Sequence, residues 1–555
     1  MSEFEKQIND VVSTPGGLSR RRFIQGVAAA GLGAGLLGLA ACGSDDDSSS
    51  STTVGTDTTI VPEVAQGGTL RVAGGKLAAA PTPFTTADEG SLQILCAVGE
   101  YLAWEDDKGE LAPRVAESWG SNDGGQTWTY VIRQGITFHD GSPLSANDVV
   151  WTMTSHLNPD NASQSAGKFA GILETDGVTK IDDFTVQFSL LSAVGSFPSI
   201  LSSTSYGLFI FKDGESGGEG WQTTMNGCGP WVLDKYTEGD RTTFTRNDNY
   251  WDSSRTPSFD ALEIIQFESA EAAVAQLVTG QIDAVVGVTP AVAASIDLSR
   301  ADLVKVPSSG HLAVHMRNDF GPFQDKRVRQ AAALTLARQD YVDGVLKGAG
   351  VVANDSIMDA YPTKDTSVPQ REKDLAKAKA LMAEAGVADG FEVDLSSFAR
   401  DDINLLAPFL QSSLGEIGIK VTVKLADSYY SPPWTAQEAK PVENHIWLES
   451  NFGITNWGHR GSPAEILTRA FKSTGDWNAA HYKSDTFDAA ADEYISATTD
   501  DARRSASTKI QELCLEDTPY LFLYFGTQTA VVRKGLAGFY ANGMQQFESA
   551  AARNV

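Results

Sequence analysis

Several short runs in this 555-residue chain carry residues at catalytic spacing, and each lacks the surroundings its chemistry needs. Gly214-Glu215-Ser216-Gly217-Gly218 fits GxSxG, but a glycine-rich acidic loop follows where a nucleophile elbow requires a helix. Ser165-Ala166-Gly167-Lys168 fits SxxK without the companion motifs of penicillin-binding enzymes. Gly33-Ala34-Gly35-Leu36-Leu37-Gly38 fits GxGxxG, yet no strand precedes it and the run is apolar throughout, so it does not read as a dinucleotide loop. His311 and His315 fall on one face of a strand-like stretch, and a metal site needs more ligands than two. No HExxH, Walker loop or CxxC occurs. The expectation is a chain with no catalytic residue, no metal and no cofactor.

Cysteine use is sparse. After Cys42 only Cys96, Cys228 and Cys514 remain, at separations that match no metal or redox motif. Two readings stand: buried free thiols, or one Cys96–Cys228 bridge with a thiol left over.

The amino terminus decides where the chain works. Ser19-Arg20-Arg21-Arg22-Phe23-Ile24-Gln25 precedes a Gly/Ala/Leu run ending in Leu39-Ala40-Ala41-Cys42. A charged start, a short apolar stretch and small residues before a cleavage point are the parts of an export signal. The paired arginines resemble a twin-arginine signal, which exports folded chains, and Leu-Ala-Ala-Cys resembles a bacterial lipobox, which makes Cys42 the lipid-bearing first residue of the mature chain. The apolar run 27–41 is shorter than the roughly 20 residues needed to span a bilayer. Residues 1–41 are therefore expected to be the signal and 42–66 a disordered tether, since the Asp and Ser/Thr tract after Cys42 has almost nothing to bury. The working part is then lipid-anchored to the cell membrane and extracytoplasmic, in the periplasm or on the outer face of the cytoplasmic membrane.

With 43 basic against 71 acidic residues the chain carries a net charge of −28. Loss of the signal removes Lys6, Arg20, Arg21 and Arg22 with Glu3, Glu5 and Asp10, and makes the balance slightly more negative. Such a surface repels nucleic acid and anionic headgroups.

A helix, a glycine and then a strand recur along the chain. Ala273, Leu277 and Val278 share a face before Gly280, and the apolar run 282–286 follows. Leu375, Ala378, Leu381, Met382 and Ala385 form a stripe that Gly386 ends, ahead of alternation over 391–395. Leu406, Phe409, Leu410, Leu414 and Ile417 precede Gly418 and the alternation 419–425. Trp128, Tyr130 and Ile132 alternate with Thr129, Val131 and Arg133, as a half-buried strand requires. Ser145, three residues before Asp148, marks a helix start. The fold class is α/β, with helices covering sheets.

Ala116-Glu117-Ser118-Trp119, Gly125-Gln126-Thr127-Trp128-Thr129-Tyr130 and Phe138-His139-Asp140-Gly141-Ser142-Pro143-Leu144-Ser145-Ala146-Asn147-Asp148-Val149-Val150 together resemble the family 5 extracellular solute-binding proteins, the oligopeptide-, dipeptide- and nickel-binding components of bacterial ABC importers. The likeness continues through Asn226-Gly227-Cys228-Gly229-Pro230-Trp231, Thr279-Gly280-Gln281-Ile282-Asp283, Phe323-Gln324-Asp325-Lys326-Arg327-Val328-Arg329-Gln330-Ala331, the stretch 376–386 and the stretch 482–488. The resemblance implies a two-lobed periplasmic-binding-protein fold (type II, three subdomains) with a ligand cleft and a hinge. By position, lobe 1 takes 67–100, 206–308 and 527–555, a family-specific subdomain takes 101–205 and lobe 2 takes 309–526. Two chain crossings, near 307–310 and 525–527, form the hinge. The implied function is capture of a small solute and its delivery to an ABC permease and ATPase complex by a protein expected to be a monomer. A ligand-sensing or chaperone-like binding protein of the same fold is the alternative, and an exported hydrolase stands behind both.

The solute itself is less legible. Peptide-binding relatives carry a Gly-Trp segment followed by an aspartate that pairs with the peptide ammonium. Here Asn456-Trp457-Gly458-His459-Arg460-Gly461-Ser462-Pro463 has no acid between the tryptophan and the proline. His459 and Arg460 suit a carboxylate or another anion; the alternative is Arg460 paired with Glu449 or Glu465 and His459 packed in a turn. Trp457, Tyr429 and Tyr430 either line the cleft or belong to the core. Asp88 and Glu89 lie where relatives bring a lobe 1 loop to the ligand, and the alternative there is a solvated loop.

Overall fold

The computed structural model describes residues 66–430 and 446–554, apart from 78, 87, 206, 219, 545, 550 and 551. The signal and Cys42 lie outside the described residues. Two sheets, each with its own core, make two lobes.

The first sheet runs in the order Ala301–Pro307, Tyr524–Arg533, Ala284–Val285, Thr69–Gly75, Ala261–Phe267, Arg241–Arg246, Trp231–Thr237. Thr69–Gly75 lies parallel to both Ala261–Phe267 and Ala284–Val285. The apolar run expected over 282–286 is thus a strand only at Ala284–Val285. Its neighbour Asp283 is instead a buried acceptor, taking the Arg71 backbone N–H at 2.8 Å and the Arg533 Nε at 2.5 Å. A four-stranded antiparallel sheet, Ala116–Gly120, Thr127–Ile132, Thr185–Ser189 and Val178–Asp182, shares one continuous core with this lobe. In Thr127–Ile132 the buried positions are Trp128, Tyr130 and Ile132, the face the alternation assigns to the core.

The second sheet has the order Ile419–Leu425, Phe391–Ser397, Phe452–Trp457, His311–Met316, Tyr520–Phe522. Phe391–Ser397 is parallel to Ile419–Leu425 and to Phe452–Trp457. Its helices follow from the sequence stripes. Leu375–Glu384 buries Ala378 and Met382, starts where the Asp374 carboxylate accepts the Lys377 N–H at 2.9 Å, and stops at Gly386. Gly386 has φ +77°, a left-handed geometry that costs a glycine nothing, and it lets the Val387 N–H turn back to the Met382 carbonyl at 2.9 Å. Asp401–Gly415 packs Ile403, Leu406, Leu410 and Leu414 on the same core and ends before Gly418.

Helix Ala146–Leu157 starts with a reciprocal cap: the Asn147 N–H donates to Ser145 Oγ at 3.3 Å and the Ser145 N–H to Asp148 Oδ2 at 2.7 Å.

The lobes are joined through strand Tyr524–Arg533, whose start pairs with Gly350–Val352 and whose remainder pairs with Ala301–Pro307. At the crossing the Ser308 N–H donates to the Gly526 carbonyl at 3.0 Å and the Gly526 N–H to the Gly310 carbonyl at 2.7 Å. Cys96, Cys228 and Cys514 are buried free thiols, so no Cys96–Cys228 bridge forms. Among the described residues no helix is long and apolar enough to cross a membrane.

Candidate functional site

In open α/β sheets, ligands bind beyond the carboxyl ends of the parallel strands. In the second lobe those ends bring together Phe398 and Arg400, after Phe391–Ser397, with Asn456 and Trp457, which close Phe452–Trp457. The Arg400 Nη1 donates to Asn456 Oδ1 at 2.8 Å while its Nε holds Asp402 at 2.8 Å, and the Asn456 N–H reaches the Tyr430 hydroxyl at 3.3 Å. Trp457 is buried among aromatics: its ring centroid is 5.5 Å from that of Trp477, 6.2 Å from Trp447 and 6.5 Å from His311, the last in a stacked arrangement. Tyr429 is fully buried against Phe398 and Tyr430, and burial pushes its hydroxyl well above the usual tyrosine range. Tyr430 is half-buried, as the sequence's wall-or-core alternatives span.

His459 sits where the lobes meet. Its Nδ1 accepts the Ser309 N–H at 3.0 Å, which fixes that nitrogen as the lone-pair side, so Nε2 carries the proton and donates to Glu105 Oε2 at 2.7 Å. Both side chains are almost wholly buried, at 8% and 4% exposure. Gly543 lies against the ring so closely that an added methyl would fall 2.4 Å from it. Arg460 is held along its whole length: its N–H donates to Ser309 Oγ at 2.7 Å, its Nη1 to the His459 carbonyl at 3.0 Å and its Nε to Glu465 Oε2 at 2.6 Å. Of the two acids the sequence offers Arg460, the structure uses Glu465, and Glu449 binds Arg317 at 3.1 Å.

Two charged residues that the sequence did not single out complete this cluster. Glu105, from the short strand Ala103–Glu105, is the His459 acceptor. Lys168, the lysine of the discarded SxxK, donates its ammonium to the Thr204 carbonyl. Burial, and then the Arg460 cation, bring Lys168 down to about 7, against the pull of Glu465 and Glu105. Burial opposes ionisation of Glu465, but Arg460 and Lys168 prevail and hold its carboxyl below the usual range. The cations at this end of the cleft thus sit among acids of similar number.

Asp88 and Glu89 stand at the corresponding place in the first lobe, where strand Thr69–Gly75 gives way to helix Glu89–Val98. Asp88 caps that helix, its carboxylate accepting the Ser91 N–H at 2.9 Å and the Ser91 Oγ at 2.8 Å. Glu89 accepts from Gln93 Nε2 at 3.3 Å, and burial followed by the Asp88 charge pushes it up to about 7. His311 and His315 are both in the core: Nδ1 of His311 meets the Ser309 carbonyl at 2.7 Å and Nε2 of His315 meets the Ser450 carbonyl at 3.1 Å. Among the described residues no group of three or more His, Cys, Asp or Glu side chains is placed to hold a metal.

A model of the bacterial extracellular solute-binding proteins, family 5, matches residues 110–479. The chain belongs to that family. Heme-binding protein A of Haemophilus influenzae is 24% identical over 79% of this chain and 82% of its own length. The periplasmic oligopeptide-binding protein OppA of Escherichia coli is 25% identical over 82% and 86%. The solved structure of HbpA2 from Haemophilus parasuis superposes with a TM-score of 0.76 at 20% identity, covering 88% of this chain and all of that one. The fold is accordingly the two-lobed periplasmic-binding-protein fold, and the protein is an extracytoplasmic solute-binding protein of ABC importers, whose relatives are binding proteins and not enzymes.

Proposed function

We propose that this family 5 protein is a lipid-anchored monomer, tethered through Cys42, that encloses a small peptide-like solute between lobe 1 and a lobe 2 running from 309 to 526. The observation that carries the reading is that charged side chains gather at the carboxyl ends of both sheets, acids alone on the first and a mixed cluster of acids and cations at the second. The carboxyl end of the first sheet carries Asp88 and Glu89, and the second lobe carries Asn456 with His459 and Arg460, the last two engaged by Glu105 and Glu465, and Lys168 beside them. A solute with an amino group and a carboxylate satisfies both walls. Its ammonium takes the place of the proton that Glu89 holds up to about pH 7, and its carboxylate joins Lys168 and Arg460. Tyr430 supplies apolar contact beside them, with Tyr429 and Trp457 packed behind as support.

A purely anionic solute is the second reading, favoured by the lack of any acid between Trp457 and Pro463. Mass spectrometry of the solute released on denaturing the purified protein tests both. A compound with an amino and a carboxyl group supports the first reading and an anion without an amino group supports the second. A macromolecular partner with no small solute counts against capture.

A further inference from the structure

The segment 190–205 and the stretch 103–109, which holds strand Ala103–Glu105, share the core of the first lobe, yet they touch the second lobe at four separate points. The Gly195 peptide is bonded at both ends: its N–H donates to the Ile495 carbonyl at 2.7 Å and its carbonyl accepts Arg503 Nη2 at 2.9 Å. Ile495 and Arg503 belong to helices Asp485–Ser496 and Asp500–Asp517 of the second lobe. The approach leaves no room for a side chain, since a methyl at Gly195 would fall 1.8 Å from the Ala497 carbonyl oxygen. Thr204 meets Gly461 so closely that a methyl there would fall 2.6 Å from its Cγ2. Pro362 faces Gly109 at 3.8 Å by the same measure, and Glu105 accepts from His459 at 2.7 Å.

These contacts differ in kind from the hinge. The crossing at Ser308–Gly310 and Gly526 is continuous chain, whereas the bonds of Gly195 and Glu105 join residues 308 and 354 positions from their partners, with no covalent link between the surfaces they hold together. Gly195 does not occupy the left-handed region, so the local backbone has no need of glycine, and the close approach to Ala497 is what excludes a larger residue.

We propose that the arrangement seen here is the closed state and that 190–205 and Glu105 form the latch that holds it, so that Gly195, Arg503, Glu105 and His459 set the closed fraction, and with it solute affinity, without Gly195 or Arg503 touching the solute. The proposal rests on the capture reading above. Any loss of closed population divides affinity by the same factor.

The test uses the mature protein as purified, comparing wild type with Gly195→Val, Arg503→Ala and Glu105→Gln. Hydrogen exchange is read at 193–199 and 495–499, and the radius of gyration by small-angle scattering. Gly195→Val is expected to speed exchange at 495–499 by roughly tenfold or more and to enlarge the radius, with exchange in strands Phe391–Ser397 and Thr69–Gly75 unchanged. Arg503→Ala moves the same way by less. Glu105→Gln keeps an acceptor oxygen for the His459 Nε2–H and stays near wild type. The latch is overturned if the wild-type Gly195 amide is unprotected, or if Gly195→Val and Arg503→Ala match wild type in both measurements. Failure of the capture reading looks different: wild type shows the protected latch, but denaturing it releases no small solute.

Discussion

At the residue scale, the proposed reading gives Arg460 two duties, and its replacement should register in both. Arg460→Ala removes a charge-assisted contact to a solute carboxylate, with an expected loss of about tenfold to a hundredfold in affinity by calorimetry with the copurified solute. It also leaves Glu465, 23% exposed, without its Nε donor, so stability should fall by roughly 1–3 kcal/mol in urea denaturation. Unchanged affinity together with lowered stability would make Arg460 purely structural. Glu89 gives the pH test. Its carboxyl titrates near 7 in the folded protein and near 4.5 when unfolded, so between those values the folded state holds the extra proton. Glu89 is therefore most favourable to folding below about pH 4.5, and that contribution is lost as pH rises through 7. Glu89→Gln should match wild type in stability at low pH and exceed it at pH 8, with a flatter profile between. Equal slopes in the two proteins would place the titration elsewhere.

At the scale of elements, the start of helix Ala146–Leu157 shows how far local chemistry reaches. Asp148 is used twice, taking the Ser145 N–H through one carboxylate oxygen and the Asp213 N–H at 2.9 Å through the other, so the cap also pins the loop that carries GxSxG. Ser216 is nonetheless exposed in that loop, and the next helical turn among the described residues is the three-residue 3-10 turn Trp221–Thr223. Ser145→Ala should lower stability by about 1 kcal/mol, seen as a lower urea midpoint with unchanged slope. A changed slope would mean that the first lobe no longer unfolds with the rest. His311–Met316 makes the opposite point. Every residue in it is buried, and its two histidines are held neutral by desolvation, which takes His311 down to about 4 and His315 to about 3. Their shared face reflects a central strand, where the two-residue period puts positions i and i+4 on one side whatever they do.

At the scale of the whole molecule, the proposed capture is a population shift between open and closed lobes, so the solute must contact both. Adding back the released solute to stripped protein should shrink the radius of gyration and raise the melting temperature, because solute binds the folded closed state alone. A saturating solute that leaves the radius unchanged would argue for a rigid binder. Location has its own test: Cys42→Ser should abolish fatty-acid labelling, and label retained on the variant would remove the anchor assignment.

The sequence by itself determined what depends on neighbours a few residues away. The stripe and glycine around 375–386 fix a helix and its end, the alternation at 127–132 fixes a half-buried strand, and Ser145 with Asp148 fixes a cap, because each rests on backbone hydrogen bonds and side-chain period within a turn or two. Ordered motifs across the chain also carried the family. Only the tertiary structure decided what surrounds them. The sequence left Trp457 and Tyr429 between wall and core, and burial put both in an aromatic cluster. It offered Arg460 two acids, and the fold brought up Glu465. Glu105, Lys168 and Gly195 carried no signal that tied them to this region, since their importance arises from contacts with residues hundreds of positions away, and spacing along a chain encodes nothing about which distant surfaces the lobes will press together.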